Sequence, residues 1–298
     1  MQKTNRDLQT ALNKLVGPTE LLSVCSIGGG CISDAFRVNV VSKDGPRSLF
    51  VKSNDLSFLD NFQSEWLGLQ QLGDTQVIRV PTPLAVGSAA GKSWLVLQWV
   101  DQGSQPSDFY ETFGRRLVQM HHDTNGSKIG ADQDNYLGAA IQKNTRTTCW
   151  PTFVAEHRLG FQLRWSVDQG YCDSQLRQNC EAIIDQVTQL LSGRDHTTSL
   201  LHGDLWSGNY LCDTDGEVVL MDPAAYRGCR EAEFGMLKLF GACPPQFYEA
   251  YQSTWPMPDG WQRRSDIYML YHLLNHLNLF GSGYLSQCKS LSAAILKH

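Results

Sequence analysis

The sequence predicts an α+β protein built from two lobes. Three patterns point there: strand-like segments fill the first third, segments of helical spacing fill most of the rest, and one short hairpin interrupts that helical part. The expected division falls near residue 100, giving lobes over 1–100 and 101–298. The first should hold an antiparallel sheet with one main helix, the second a mostly helical unit around the hairpin. A chain of 298 residues is long enough for such a core.

Each element follows from local pattern. Residues 1–15 (MQKTNRDLQTALNKL) alternate polar and apolar at helical spacing and stop near Gly17-Pro18. Strands follow at LLSVCSI, AFRVNVV and SLFVK, with a glycine cluster in the first connection and Lys43-Asp44-Gly45-Pro46 in the second. Between Phe58 and Leu72, the residues Leu59, Phe62, Trp66, Leu69 and Leu72 recur at three- and four-residue intervals, the stripe of an amphipathic helix. PTPLAVG and WLVLQWV read as two more strands, turned at Gly91-Lys92. Beyond Asp101, helices are expected over 108–121, 153–169, 174–191 and 265–279. The hairpin joins Tyr210-Leu211-Cys212 to residues 217–221 through Asp213-Thr214-Asp215-Gly216, with Asp-Gly in its turn.

Bulk properties exclude several classes. The chain has a mean hydropathy of −0.29 and no run of eighteen apolar residues, so no membrane span or membrane partner is expected. Its first fifteen residues lack the apolar core and cleavage site of a secretory signal, so a cytoplasmic location is expected. Net charge is −5 and Lys and Arg form no basic run, so nucleic acid is not an expected partner. Nine Cys at irregular spacings, without a C-x-x-C pair, fit neither a disulfide framework nor a zinc site.

The densest chemical signal is His202-Gly203-Asp204-Leu205-Trp206-Ser207-Gly208-Asn209, followed by the hairpin and then Met221-Asp222-Pro223. This order matches H-x-D-x-x-x-x-N and a later metal-binding Asp, as in kinase catalytic loops. Phosphoryl transfer needs a carboxylate to orient and deprotonate the acceptor hydroxyl, and oxygen ligands that hold Mg²⁺ against the phosphates. Asp204 fits the first task; Asn209 and Asp222 fit the second. Singly, each is also an ordinary turn residue, and the ordered set around a hairpin is what lifts them from that background.

Upstream, Lys52 ends the third strand and Glu65 lies on the amphipathic helix, away from its solvent stripe. A kinase pairs a phosphate-binding Lys with a helix Glu at such positions; without the downstream loop both would read as solvated surface charges. Gly28-Gly29-Gly30 sits between the first two strands, where backbone N–H groups approach phosphates, although the pattern is not G-x-G-x-x-G and equally suits a hairpin turn. Gln98-Trp99-Val100 reads either as a hinge whose backbone meets adenine or as a plain buried strand.

These motifs resemble the fructosamine kinase family, chiefly through residues 202–209 and Asp222-Pro223-Ala224-Ala225-Tyr226-Arg227-Gly228-Cys229-Arg230-Glu231. Trp206 separates that group from other kinase-like phosphotransferases. Further similarity in Gly28-Gly29-Gly30-Cys31-Ile32, Phe62-Gln63-Ser64-Glu65, Glu156-His157-Arg158-Leu159 and 275–281 extends it over nearly the whole chain. The resemblance implies a protein-kinase-like fold, ATP and Mg²⁺ as cofactors, and phosphorylation of the sugar 3-hydroxyl of ketosamines. These are fructosamine or ribulosamine adducts that glycation leaves on amines or protein lysines, and their phosphorylation promotes deglycation. It further implies Asp204 as catalytic base, Lys52 and Glu65 as the nucleotide-positioning pair, Asn209 and Asp222 as metal ligands, Gln98, Trp99 and Val100 as the adenine hinge, and Trp206 beside the sugar.

A monomer is expected, with a redox-dependent dimer through Cys31 as the alternative: a thiol near backbone N–H groups and Lys52 gains thiolate character, though Cys also suits a tight turn. One departure stands out. The family pattern continues Arg-Glu with Ala or Cys and then Asp, whereas here Ala232 precedes Glu233, which leaves open whether that carboxylate anchors the loop or faces solvent. Two rival readings are an aminoglycoside- or choline-type phosphotransferase, against which Trp206 argues, and a nucleotide-binding pseudokinase, against which the complete polar set argues. His121-His122-Asp123 resembles a metal cluster only in sequence, because adjacent helix side chains diverge. Tyr248, Tyr251, Trp255 and Trp261 read as packing, and His272, Asn275 and His276 as structural hydrogen bonders or neighbours of the sugar.

Overall fold

The structure, a computed structural model, describes residues 2–28 and 32–297. Five strands, β1 (Thr19–Ser26), β2 (Asp34–Ser42), β3 (Gly45–Asp55), β4 (Pro83–Ala89) and β5 (Lys92–Gln98), form an antiparallel sheet in the order β1-β2-β3-β5-β4. Helix α1 (Gln2–Leu15) covers one face and α2 (Leu59–Gly73) the other. Alternation along the strands divides the side chains between them. Leu49 and Val51 of β3 and Trp94 and Val96 of β5 pack with Leu8 and Leu12 of α1. Phe50, Leu95 and Leu97 pack with Phe62 and Leu69 of α2. Lys52 shares the parity of Phe50 and stands opposite Leu95, so the strand itself delivers it to the α2 face. On α2, Glu65 lies between Phe62 and Leu69 on the buried stripe. The expected fifth strand ran to residue 100, but β5 ends at Gln98. Its last good ladder bond is Gln98 N–H to Thr82 O at 2.9 Å, while Trp99 N–H reaches Ser48 O only at 3.4 Å.

The remaining elements are α3 (Phe109–Asp123), β6 (Asn135–Leu137), β7 (Ala140–Gln142), α4 (Trp150–Phe153), α5 (Gly160–Asp168), α6 (Ser174–Leu190), β8 (Ser199–Leu201), β9 (Tyr210–Cys212), β10 (Val218–Leu220), β11 (Tyr226–Gly228), α7 (Glu233–Leu239), α8 (Pro245–Thr254), α9 (Trp261–Phe280) and α10 (Leu285–Leu296). A π-helical turn over Val154–Leu159 joins α4 to α5. One core gathers Leu159, Ile183, Leu273 and Leu277, another Phe113, Leu117, Leu205, Phe234 and Phe247. The expected hairpin is β9–β10, with Gly216 at φ 84° in its turn. Strands β6, β7, β8 and β11 escaped the sequence reading because three residues are too few to show alternation. Among the described residues no helix is long and apolar enough to cross a membrane.

Two contacts close the sheet onto this part of the chain. Leu220 N–H donates to Arg79 O at 2.9 Å, and Arg79 Nη1 pairs with the buried Asp213 carboxylate at 2.6 Å.

Helix α9 buries His272, whose Nδ1 has no hydrogen-bond partner, and burial holds its pKa down to about 3. The unfolded imidazole takes up a proton below about pH 6.5, the native one only near 3, so over that interval the unfolded chain binds more protons. Stability should therefore fall as pH drops from about 6.5 towards 3, His272 contributing up to about 1.4 kcal/mol per pH unit. His272→Leu should flatten this limb in denaturant titrations, and an unaltered slope would remove the assignment.

Candidate active site

Three separated segments meet between the sheet and the helical part. Lys52 Nζ donates to Glu65 Oε1 at 2.9 Å and Oε2 at 3.1 Å, and to Asp222 Oδ1 at 2.6 Å. Helix α2 comes close enough because Gly68 carries no side chain: a Cβ there would stand 3.0 Å from Pro223 Cγ. Burial disfavours the Lys52 ammonium, but Asp222 and Glu65 together outweigh it and hold the pKa above its usual range. The two carboxylates share this one ammonium and respond oppositely. Burial pushes Glu65 up to about 7 against the pull of Lys52. Asp222 feels enclosure too, yet Lys52 keeps it below the ordinary carboxylate range, and its side chain remains 46 % exposed.

His202 organises the loop that follows β8. Its Nδ1 accepts Asp204 N–H at 3.2 Å, which leaves the ring proton on Nε2 to donate to Met221 O at 2.8 Å. Its carbonyl accepts Ala224 N–H at 3.0 Å. Burial lowers the pKa of this ring, so the neutral tautomer is the stable one. Asp222, between those two tied residues, takes a left-handed φ of 54°. Gly203 has φ 81°, and a Cβ there would stand 2.2 Å from Ala224 O, so this position admits only glycine.

Asn209 Nδ2 donates to Asp204 O at 2.8 Å and to Asp204 Oδ2 at 3.1 Å, holding the aspartate side chain. Burial and the neighbouring Asp222 charge push Asp204 up to about 7, with Asn209 pulling the other way. A carboxyl in that range is suited to accepting a proton near neutral pH. Asn209 spends its amide protons on Asp204, which leaves its Oδ1 as an acceptor, and the Asp222 carboxylate is partly exposed. Two hard oxygen donors of this kind suit Mg²⁺.

Glu233, whose role the sequence left open, is an anchor. It opens α7, is 2 % exposed, and accepts His202 N–H at 2.7 Å on Oε2 and Gly203 N–H at 3.1 Å on Oε1. Burial alone would raise its carboxyl; His121 and the His202 donors outweigh it and hold Glu233 below the usual range. His121 Nε2 stands 3.5 Å away, too far for a full hydrogen bond, and His121 Nδ1 pairs with Tyr251 OH at 2.8 Å. His121 is thus buried while His122 is 66 % exposed, so the two diverge, and among the described residues no group of three His, Cys, Asp or Glu could hold a metal. The sequence clue to Glu233 was a lone carboxylate inside the apolar run Ala232-Glu233-Phe234-Gly235-Met236-Leu237.

The other expected site residues fall as follows. Gly28 lies just past β1, where Ile27 N–H donates to Ala35 O at 2.8 Å; Gly29, Gly30 and Cys31 lie outside the described residues. The amides of Gln98 and Trp99 are spent on Thr82 and Ser48, whereas among the described residues Val100 N–H has no partner, which singles it out within the hinge segment. The Trp99 ring lies under the Arg37 guanidinium, 4.6 Å away, and 6.4 Å from the Phe50 ring. Trp206 folds over Gly208, where a Cβ would stand 2.4 Å from its ring, and sits 5.2 Å from Phe240. Asn275 accepts from Gln162 Nε2 at 3.0 Å, and His276 Nδ1 pairs with His272 O at 2.8 Å, both structural bonds.

Comparison with known proteins agrees with this geometry. The model of the fructosamine kinase family matches residues 1–298. A Synechocystis protein named a probable ketoamine kinase is 40% identical over 274 residues, covering 91% of this chain and 90% of its own. A chloroplastic protein-ribulosamine 3-kinase of Oryza sativa subsp. indica is 42% identical over 275 residues, covering 92% and 78%. A crystal structure described as a fructosamine-3-kinase from Haemophilus somnus superposes with a TM-score of 0.86 at 27% identity over 98% of this chain and 97% of its own. An aminoglycoside phosphotransferase shares the fold at 14% identity and a TM-score of 0.66, over 96% of each chain.

Removing the Glu233 carboxylate would leave two buried amides without acceptors, at about 1–3 kcal/mol each. Glu233→Ala is therefore expected to lower unfolding stability by about 2–6 kcal/mol, and Glu233→Gln, which keeps one acceptor oxygen, by less. A denaturation midpoint for Glu233→Ala equal to that of the unmodified protein would exclude the anchor.

Proposed function

This chain belongs to the fructosamine kinase family, and from that premise we propose that its cleft moves the γ-phosphoryl group of ATP to the 3-hydroxyl of ketosamines, with Mg²⁺ as the metal. The acceptor class is fructosamine or ribulosamine adducts on amines or protein lysines, and the consequence is deglycation. The observation that carries this reading is the convergence of Lys52, Glu65 and Asp222 within hydrogen-bonding distance, beside an Asp204 whose pKa is raised to about 7. Residues 1–100 would form the nucleotide lobe and 101–298 the catalytic and substrate lobe. A reducing compartment such as the cytoplasm suits the chain, whose eight described cysteines are unbridged.

In this reading Asp204 accepts the proton of the sugar hydroxyl as that oxygen bonds to the γ-phosphorus. The bond from γ-phosphorus to the bridging oxygen breaks, and ADP leaves with that electron pair. Lys52, positioned by Glu65, holds the α- and β-phosphates, and Val100 N–H is the hinge donor available to adenine. Asn209 Oδ1 and the Asp222 carboxylate would hold Mg²⁺, which supplies neutralisation of phosphate charge. Asn209 keeps Asp204 aimed through its amide protons. Trp206 lines the sugar side.

Asp204→Asn should lower turnover by about 10²–10⁴-fold while nucleotide affinity stays near that of the unmodified protein. Phosphorus NMR with ribulose-lysine and fructose-lysine adducts would show a 3-phosphate product if the reading holds. Full activity of Asp204→Asn would overturn the base assignment, and absence of product from both adducts would overturn the substrate class.

A further inference from the structure

The hairpin β6–β7 supplies none of the cleft residues, yet it touches the elements that carry them on both sides. At its tip, Gly138 takes a left-handed φ of 65°, and its carbonyl accepts Nδ2–H of Asn61, on α2, at 3.3 Å. A Cβ on Gly138 would stand 3.0 Å from Ile32 Cδ1, so the tip also abuts the segment after the glycine cluster. Asn61 is buried one turn before Glu65, on the same face of α2. The tip therefore bears on the helix that supplies one partner of Lys52.

At the open end of the hairpin, Asn135 and Gln142 stand opposite each other in the ladder. Asn135 Nδ2 donates to Ala225 O at 2.8 Å. Gln142 Nε2 donates to Ala224 O at 3.0 Å and to Asn135 Oδ1 at 2.8 Å, while its Oε1 accepts Tyr271 OH at 2.9 Å. Ala224 N–H is already given to His202 O. The segment that follows Asp222 is thus held by the catalytic loop on one side and by the hairpin on the other.

The hairpin is rooted in a buried cation that the cleft does not use. The π-helical turn carries Arg158, and Gly160 permits that turn, because a Cβ there would stand 2.6 Å from Ala155 O. Arg158 is 2 % exposed and makes no ion pair among the described residues. Its guanidinium lies 4.4 Å from the Phe153 ring and 4.3 Å from the Tyr226 ring, and donates to Lys143 O and, at 2.9 Å, to Asn144 Oδ1. Asn144 Nδ2 donates in turn to Asn135 Oδ1 at 2.6 Å. Every amide from Arg158 to Ala225 O points its donor away from the cation, so each bond polarises the next.

We propose that the β6–β7 hairpin is a strut between α2 and the segment after Asp222, with Asn61, Asn135 and Gln142 as positioning residues for the Lys52, Glu65 and Asp222 cluster. Gly68 against Pro223 sets how closely the two sides approach, and the hydrogen bonds at the two ends of the hairpin resist their separation. Lys52 bonds both carboxylates at 2.6–3.1 Å, distances that leave little room for α2 to shift. The consequence for nucleotide binding rests on the kinase reading of the cleft; the mechanical link does not.

The test uses Asn61→Leu, Gln142→Leu and the double variant. Asn61→Leu keeps the side-chain volume and deletes the tip bond, and because Gly138 is exposed, water replaces that donor and the denaturation midpoint should move little. In hydrogen exchange on the nucleotide-free protein, Gln142→Leu should speed exchange of the α2 amides by about tenfold and leave α1, on the opposite face of the sheet, unchanged. Asn61→Leu should do the reverse, speeding exchange over 222–226 by a similar factor. A packing defect confined to either substituted site would not reach the other end. Affinity for a non-hydrolysable ATP analogue with Mg²⁺, measured by calorimetry, should fall about tenfold in each single variant. The double variant should lose no more than the larger single loss, since either cut releases the strut. Unchanged exchange at the far end, or affinity losses that multiply in the double variant, would overturn the strut. Gln142→Leu strands Ala224 O and Tyr271 OH, and should it fail to fold, exchange over 222–226 in Asn61→Leu decides alone. Transmitted exchange in a protein that binds no nucleotide would support the strut and count against the kinase reading instead.

Discussion

The neutral imidazole of His202 ties together the two segments on which the cleft depends. Through Nε2–H, Nδ1 and its own carbonyl it reaches Met221, Asp204 and Ala224. Asp222 is thereby caught between two tied residues and held in a left-handed conformation, which Asp tolerates better than most side chains. Burial stabilises the tautomer by disfavouring the charged ring, so the same apolar environment that encloses the loop also fixes the hydrogen-bond directions. Glu233 completes the arrangement from the other side by accepting the amides of His202 and Gly203. A Glu reaches this far because it sits at the start of α7, within a helix packed on Tyr251 and Trp261 through Phe234.

Against this rigid loop stands an electrostatic cluster with one ammonium and two carboxylates. Lys52 reaches it by strand parity, Glu65 by the stripe of α2, and Asp222 by the turn after β10. Such a cluster carries net negative charge, which explains why burial raises Glu65 while Lys52 keeps Asp222 ionised. A phosphate group entering beside Lys52 would compete with Asp222 for it, and a divalent cation would relieve the surplus negative charge. Under the proposed function, this charge balance would favour a nucleotide that arrives together with a metal.

The fold is shared with aminoglycoside and choline kinases at 12–16% identity, so it does not select the acceptor. Trp206 needs Gly208 to lie flat across the loop, and its ring packs beside Phe240.

By itself the sequence determined the alternation of β3 and β5, the stripe of α2, the β9–β10 hairpin and the spacing of Asp204, Asn209 and Asp222. These are signals carried by neighbours in the chain, where periodicity and turn chemistry act over a few residues. The three-residue strands β6, β7, β8 and β11 gave no such signal, and α7 and α8 hold together through packing rather than through a local stripe. Only the tertiary structure decided that Glu233 faces inward onto the loop, that the amides of Gln98 and Trp99 are already spent, and that Phe240 from one segment meets His276 and Phe280 from another. Each of these depends on distance between residues far apart in the chain, a quantity that local composition does not encode.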